Sequence, residues 1–274
     1  MTKQPKTDLL SGSRIYLSGP MDFVACRHTE KTLGWRNRVG EFLKKFNVTV
    51  FDPWNKPSPR GLKGYGVEDV NSGDKIKSTW SYKNNKKGAK ARAWCAEAFW
   101  ETVHIDLRMV DTSDITIAYV PTNIYSVGTP HEIIMATQQH KPVLFVSPPV
   151  VFPALHQLRE HLKGDEKGLE LLGKLGRQVP IKENIRGVPS LWYMPIVGSE
   201  GFFDGFGFAK YRKQFGWVDD IQLDEHEKMF PPQRPLLPFL EKLNKKLPKK
   251  WDAKKGQFVQ DDDWLLWDIK NPTK

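Results

Sequence analysis

Glu132 stands in the segment Ser126-Val127-Gly128-Thr129-Pro130-His131-Glu132-Ile133, where two different jobs for a carboxylate fit. Thr129, Pro130 and Glu132 match the N-cap, first and third positions of a helix start. Glu132 then reads as one half of a capping box, satisfying a backbone N–H of its own helix. The same place suits a nucleophile. The positive end of a helix dipole keeps a carboxylate ionised, and an ionised carboxylate can displace a leaving group and form a covalent intermediate. His131 and His104 have side chains suited to acid–base work. His131, at the second helical position, is expected at solvent or at the rim of a cleft, and neither histidine is assigned a role.

The elements that must carry these residues alternate along the first half of the chain. Arg14-Ile15-Tyr16-Leu17-Ser18 is a short apolar run stopped by Gly19-Pro20, which predicts a buried strand. Residues 29–46 carry Leu33, Val39, Phe42, Leu43 and Phe46 at helical spacing, and Val48 to Phe51, ended by Asp52-Pro53, predicts a second strand. Residues 53 to about 90 show no period and predict a long loop, of the kind that usually carries function. A helix over 91–110, a strand over 114–120, a helix over 129–140 and a strand over 141–146 follow. This alternation predicts an α/β fold, a Rossmann-like (flavodoxin-like) parallel sheet flanked by helices. Residues 1–150 are expected to form the catalytic domain, and 151–274 an irregular C-terminal extension or small domain. In that extension 155–175 has helical composition, 231–248 suggests proline-punctuated short helices, and the Phe-rich run 201–208 suggests packing.

Open parallel sheets bind ligands beyond the carboxyl ends of their strands. That rule nominates Gly19, Pro20, Met21 and Asp22 after the first strand, Asp52, Pro53 and Trp54 after the second, and the loop leading to Glu132 after the third. Trp54 suits stacking on a planar ligand, or equally a place in the core.

Four features in order resemble the nucleoside 2-deoxyribosyltransferase superfamily, which includes nucleoside 5′-monophosphate N-glycosidases. Ile15 to Pro20 resembles the family's first strand, whose Tyr sits near the catalytic Glu. Asp106, 26 residues before Glu132, matches the active-site Asp. Asp114 to Val120 resembles the "D-I-hydrophobic" strand, and Gly128 to Ile133, with Ala136, resembles the signature G-x-x-x-E-[IL]-G-x-A. The resemblance covers roughly residues 14–146. It implies that Glu132 attacks the sugar C1′, that Asp106 manages the proton of the departing base, and that Tyr16 orients Glu132. A second base or water then opens the glycosyl-enzyme, with net retention. The substrates implied are a nucleoside or nucleotide and a free nucleobase, with no cofactor. The family also implies a homo-oligomer, because neighbouring subunits often complete the pocket.

One departure bears on the substrate. Six residues before the Glu, deoxyribosyltransferases commonly carry an Asp for a sugar hydroxyl, and this chain has Ser126. A Ser there resembles the phosphate ligand of the monophosphate hydrolases, since a hydroxyl and helix N–H groups accept a dianion that an Asp would repel. The hydrolases' further serine in the first loop is not matched, because Pro20 follows Gly19. Gly128 joins Ser126 among the expected substrate contacts.

The 12% aromatic content excludes a disordered chain. The polar segment Met1 to Arg14 has no apolar run of signal-peptide length, no stretch of the chain approaches membrane-span length, and Cys26 and Cys95 have no metal-ligand spacing. They read as reduced thiols of a cytoplasmic protein with no membrane partner. The net charge of +10 suits polyanions or simply a solvated surface. The basic run from Lys75 through Lys77, Lys83, Lys86, Lys87 and Lys90 to Arg92, with Trp80 and Tyr82 interleaved, resembles a nucleic-acid surface. A solvated loop is the commoner explanation, so nucleic acid is a possible partner but not the favoured one. A non-catalytic nucleotide sensor or nucleic-acid-binding protein is the reading from another class.

Overall fold

The computed structural model describes residues 8–22, 24, 26–56, 72–178, 183–218, 221–261 and 264. Five parallel strands form its sheet: β1 (Arg14–Ser18), β2 (Thr49–Phe51), β3 (Ile115–Tyr119), β4 (Val143–Val146) and β5 (Phe202–Phe203), in the order β2-β1-β3-β4-β5. This is the flavodoxin-like order, with the reversal in direction of strand progression falling between β1 and β3.

Side-chain alternation on β1 divides the core. Ile15 and Leu17 point to one face, where they meet α2 (Trp35–Lys44) through Trp35, Val39, Phe42 and Leu43, and α11 (Leu236–Lys245) through Leu236, Leu237, Leu240 and Leu243. Tyr16 points to the other face, against Ile105, Met109 and Val110 of α4 (Lys86–Thr112) and Ile133 and Ala136 of α5 (Gly128–Gln138). Strands buried on both faces explain the near-continuous apolar runs of the sequence.

The helix expected over 29–46 is two helices, α1 (Arg27–Leu33) and α2. They break at Gly34, whose ψ of 175° is extended; a β-carbon there would lie 2.2 Å from the Glu30 carbonyl oxygen. The expected loop over 53–90 contains α3 (Ser72–Ser78) and the first turn of α4, with 57–71 outside the described residues. Asn85 caps α4 by accepting the Gly88 N–H at 2.9 Å, so the helix starts five residues before the apolar pattern does. The basic run therefore lies on α3, on α4 and between them, and Lys86, Lys87 and Lys90 are exposed.

Beyond residue 150 the helical stretch splits into α6 (Pro153–His161) and α7 (Glu166–Gln178), separated by Gly164 at φ +90°. After α8 (Met194–Val197), β5 extends the sheet, and Phe203, Phe206 and Phe208 enter the core as packing. The short helices α9 (Arg212–Phe215) and α10 (Ile221–Met229) lead to α11. Instead of several proline-broken helices, 236–245 is one helix, because Pro238 sits in its first turn, where no N–H is needed. An antiparallel hairpin of β6 (Lys249–Asp252) and β7 (Gln257–Gln260), with the rings of Trp251 and Phe258 5.2 Å apart, follows. Buried Arg38 on α2 forks onto Asp224 of α10 at 3.0 and 3.1 Å, which binds the C-terminal half to the sheet's first crossover. Among the described residues, no helix is long and apolar enough to cross a membrane.

Candidate active site

A cleft of about 500 Å³ opens at the carboxyl ends of β1 and β3, where the direction of strand progression reverses. Its floor begins at Gly19. A β-carbon there would come 2.8 Å from the Trp35 ring and 3.3 Å from the Tyr119 carbonyl oxygen, so only glycine lets the chain turn this closely over α2 and β3. Arg36 locks that turn from below. Its buried guanidinium donates to the carbonyls of Leu17 (3.2 Å) and Gly19 (2.6 Å) and to Glu30 (2.9 Å), and it lies 4.7 Å from the centre of the Trp35 ring.

Glu132 reaches the floor from the fifth residue of α5. The helix begins at Gly128 instead of after Thr129, so the capping box expected from the sequence does not form. Ser126 accepts the Thr129 N–H at 3.4 Å, and its Oγ lies 2.8 Å from Thr129 Oγ1. The Glu132 carboxylate faces β1, where Tyr16 donates its hydroxyl to Oε1 at 2.8 Å and Ser18 donates to Oε2. Burial pushes the Glu132 carboxyl above its ordinary range, while those two hydrogen bonds and the charges of Arg36 and Lys56 pull the other way. Burial, and next the negative field of Glu132, hold Tyr16 well above the usual phenol range, so it remains a donor.

The facing wall is α4, which presents Cys95, Phe99, Val103, Asp106 and Leu107 at helical spacing. Asp106 Oδ1 lies 2.9 Å from Nζ of Lys56, whose side chain is only 2% exposed. Trp54, Trp80, Phe99 and Tyr125 give the cleft aromatic walls suited to a planar ligand. At the outer end Asp22 pairs with Arg27 at 2.6 Å and with Lys77, which ties the loop after β1 to α3. Among the described residues, no group of three or more His, Cys, Asp or Glu is placed to hold a metal ion.

Of the residues nominated from the sequence, Gly19, Met21, Asp22, Trp54, Asp106, Ser126, Gly128 and Glu132 line this one cleft, with Tyr16 directly beneath. Pro20, Asp52 and Pro53 do not line it. Asp52 instead caps the turn Pro53–Asn55, accepting the Trp54 N–H at 3.0 Å and the Asn55 amide at 2.8 Å, and so orients Trp54. His131 lies on the cleft, whereas His104 packs against Trp100. Sequence reasoning missed Ser18, Lys56 and Arg36. Ser18 was within reach, since it sits two residues from Tyr16 and strand side chains repeat with period two. Neither Lys56 nor Arg36 has a comparable pattern.

No family model matches the chain, and no curated protein matches it. Solved structures do match, among them a 2-deoxyribosyltransferase from the psychrotolerant bacterium Bacillus psychrosaccharolyticus. It is 18% identical over 52% of this chain and 79% of that one, with a TM-score of 0.27. That likeness assigns no role to any residue here.

Proposed function

We propose that this chain is an enzyme that cleaves the N-glycosidic bond of 2′-deoxynucleosides, or of their 5′-monophosphates, and transfers the sugar to another base. The observation that carries this reading is the Glu132 carboxylate, buried at the cleft floor with one hydroxyl donor on each oxygen. Single donors fix the orientation of the group and leave lone pairs on both oxygens for attack.

In this mechanism the sugar C1′ sits over Glu132 and the base lies between the aromatic walls. Glu132 attacks C1′, the bond to the base nitrogen breaks, and Asp106 passes a proton to the departing base. A second base then attacks C1′ of the glycosyl-Glu132 ester and restores the carboxylate, so two inversions give net retention. Gly19, Met21, Trp54 and Gly128 shape the substrate pocket, and residues up to about 150 carry the chemistry.

Hydrolysis of nucleoside 5′-monophosphates by the same Glu is the second reading. It is favoured by the hydroxyls of Ser126 and Thr129 paired at the start of α5, a place suited to a phosphate dianion. Incubating the protein with a 2′-deoxynucleoside, or with its 5′-monophosphate, and a different free base separates the two. Transfer yields a new nucleoside, and hydrolysis yields free sugar or sugar phosphate. Base release at the wild-type rate by a folded Glu132→Gln variant would overturn both.

A further inference from the structure

Lys56 is nearly enclosed, does not line the cleft, and places its Nζ 2.9 Å from Oδ1 of Asp106, which does. Burying an ammonium is expensive, and a buried ion pair rarely outperforms well-packed apolar side chains of similar size. Asp106 needs no buried cation behind it merely to fill the wall of α4. The pair makes chemical sense if its proton is used.

We propose that Lys56 is the proton reservoir for the leaving base, acting through Asp106. This inference rests on the glycosyl-transfer reading above. A carboxylate paired with an ammonium has no proton of its own to give, whereas the ammonium does. As the C1′–N bond breaks, its electron pair goes to the base nitrogen system. One proton passes from Lys56 Nζ to the Asp106 carboxylate, and Asp106 hands it on to the base. Asp106 ends as the carboxylate it began as, and Lys56 ends as a neutral amine. When the second base attacks the glycosyl-Glu132 ester, its N–H proton returns along the same two atoms and restores the ammonium. Lys56 touches no substrate in this scheme. It is a positioning residue in the sense that it fixes the charge, orientation and proton content of Asp106, and its charge also reaches Glu132.

Arginine separates this role from a structural one. A guanidinium keeps the ion pair but does not give up its proton in a protein. The experiment compares wild type, Lys56→Arg and Lys56→Met on two substrates. One is the best of the four natural 2′-deoxynucleosides. The other is 7-methyl-2′-deoxyguanosine, whose cationic base departs neutral and needs no proton.

Both variants are expected to slow the natural substrate by roughly 100-fold and to stay within about threefold of wild type on the methylated one, the signature of lost acid catalysis. Thermal melting of each variant identifies any that fails to fold, and the remaining one decides the test. Rescue of the natural substrate by Lys56→Arg, or equal losses on both substrates, would overturn the proposal while leaving the nucleophile in place. If wild type releases no base from either substrate, or Glu132→Gln releases it as fast, the glycosyl-transfer reading falls and this inference falls with it.

Discussion

Tyr16 on β1 and Glu132 on α5 are 116 residues apart in sequence and share a hydrogen bond of 2.8 Å, with the phenol donating to Oε1. A hydrogen bond to a charged acceptor is worth about 1.5–3 kcal/mol. Tyr16→Phe keeps the ring in the core and should slow turnover by about 10- to 100-fold. The loss should fall on kcat with little change in KM, as steady-state kinetics would show. An unchanged kcat would mean that the phenol only packs.

Ser18→Ala removes the donor on the other oxygen. The single variants should each leave activity measurable. The double variant should lose more than the product of the two, because no hydroxyl then offsets the burial of the carboxylate. A double-mutant cycle measures that coupling.

The raised Glu132 carboxyl makes a prediction about stability and pH. A carboxyl whose folded value lies above its unfolded one stabilises the fold while protonated. That contribution is full below the unfolded carboxylate range near 4.3 and is lost as the pH climbs through the folded value. At neutral pH the buried anion is therefore a cost, and Glu132→Gln should raise Tm there. The gain should shrink toward zero as the buffer is acidified below about pH 4. A pH series of thermal melts tests this, and a gain that grows in acid would contradict it. The acid limb of the pH–rate profile should also lie above that of an ordinary carboxylate.

Gly19→Ala places a β-carbon 2.8 Å from the Trp35 ring and 3.3 Å from a backbone oxygen. Overpacking of this kind costs roughly 1–3 kcal/mol. The turn that must yield carries the cleft floor, so activity should fall further than stability does. Chemical denaturation alongside kinetics separates the two effects.

Arg38 and Asp224 test the other end of the molecule. Both are nearly fully buried and joined by two hydrogen bonds. Asp224 also holds Arg212 at 2.6 Å, so it keeps a cation when Arg38 is removed. Arg38→Met should therefore cost less than the roughly 3–5 kcal/mol of a stranded buried charge, measured by urea unfolding. Adding Arg212→Met, which takes away that second cation as well, should bring the loss up to that range.

The strands β1 to β4 were legible because each is an apolar run stopped by glycine, proline or aspartate, and because parallel strands are buried on both faces. The strand β5 was not. Two phenylalanines inside a Gly-rich run give no period, and only pairing with β4 makes them a strand. Glu132 stands out in the sequence by its place at a helix start, whereas Asp106 and Tyr16 stand out only through the resemblance of their segments to a known family. Ser18 was overlooked because a serine ending a strand is common. Lys56 and Arg36 owe their significance to burial and to partners distant in sequence, which one-dimensional patterns do not carry. Asp52 is the reverse case: it follows a strand, as a ligand-binding residue would, but its carboxylate accepts from Trp54 and Asn55.

The two donors to Glu132 occupy alternate positions of one strand, Tyr16 and Ser18, with Ile15 and Leu17 turned to the opposite face. A strand paired one residue out of place would present the two aliphatic side chains to the carboxylate instead. Under the proposed function, activity regained after dilution from denaturant would thus report on the registry of β1.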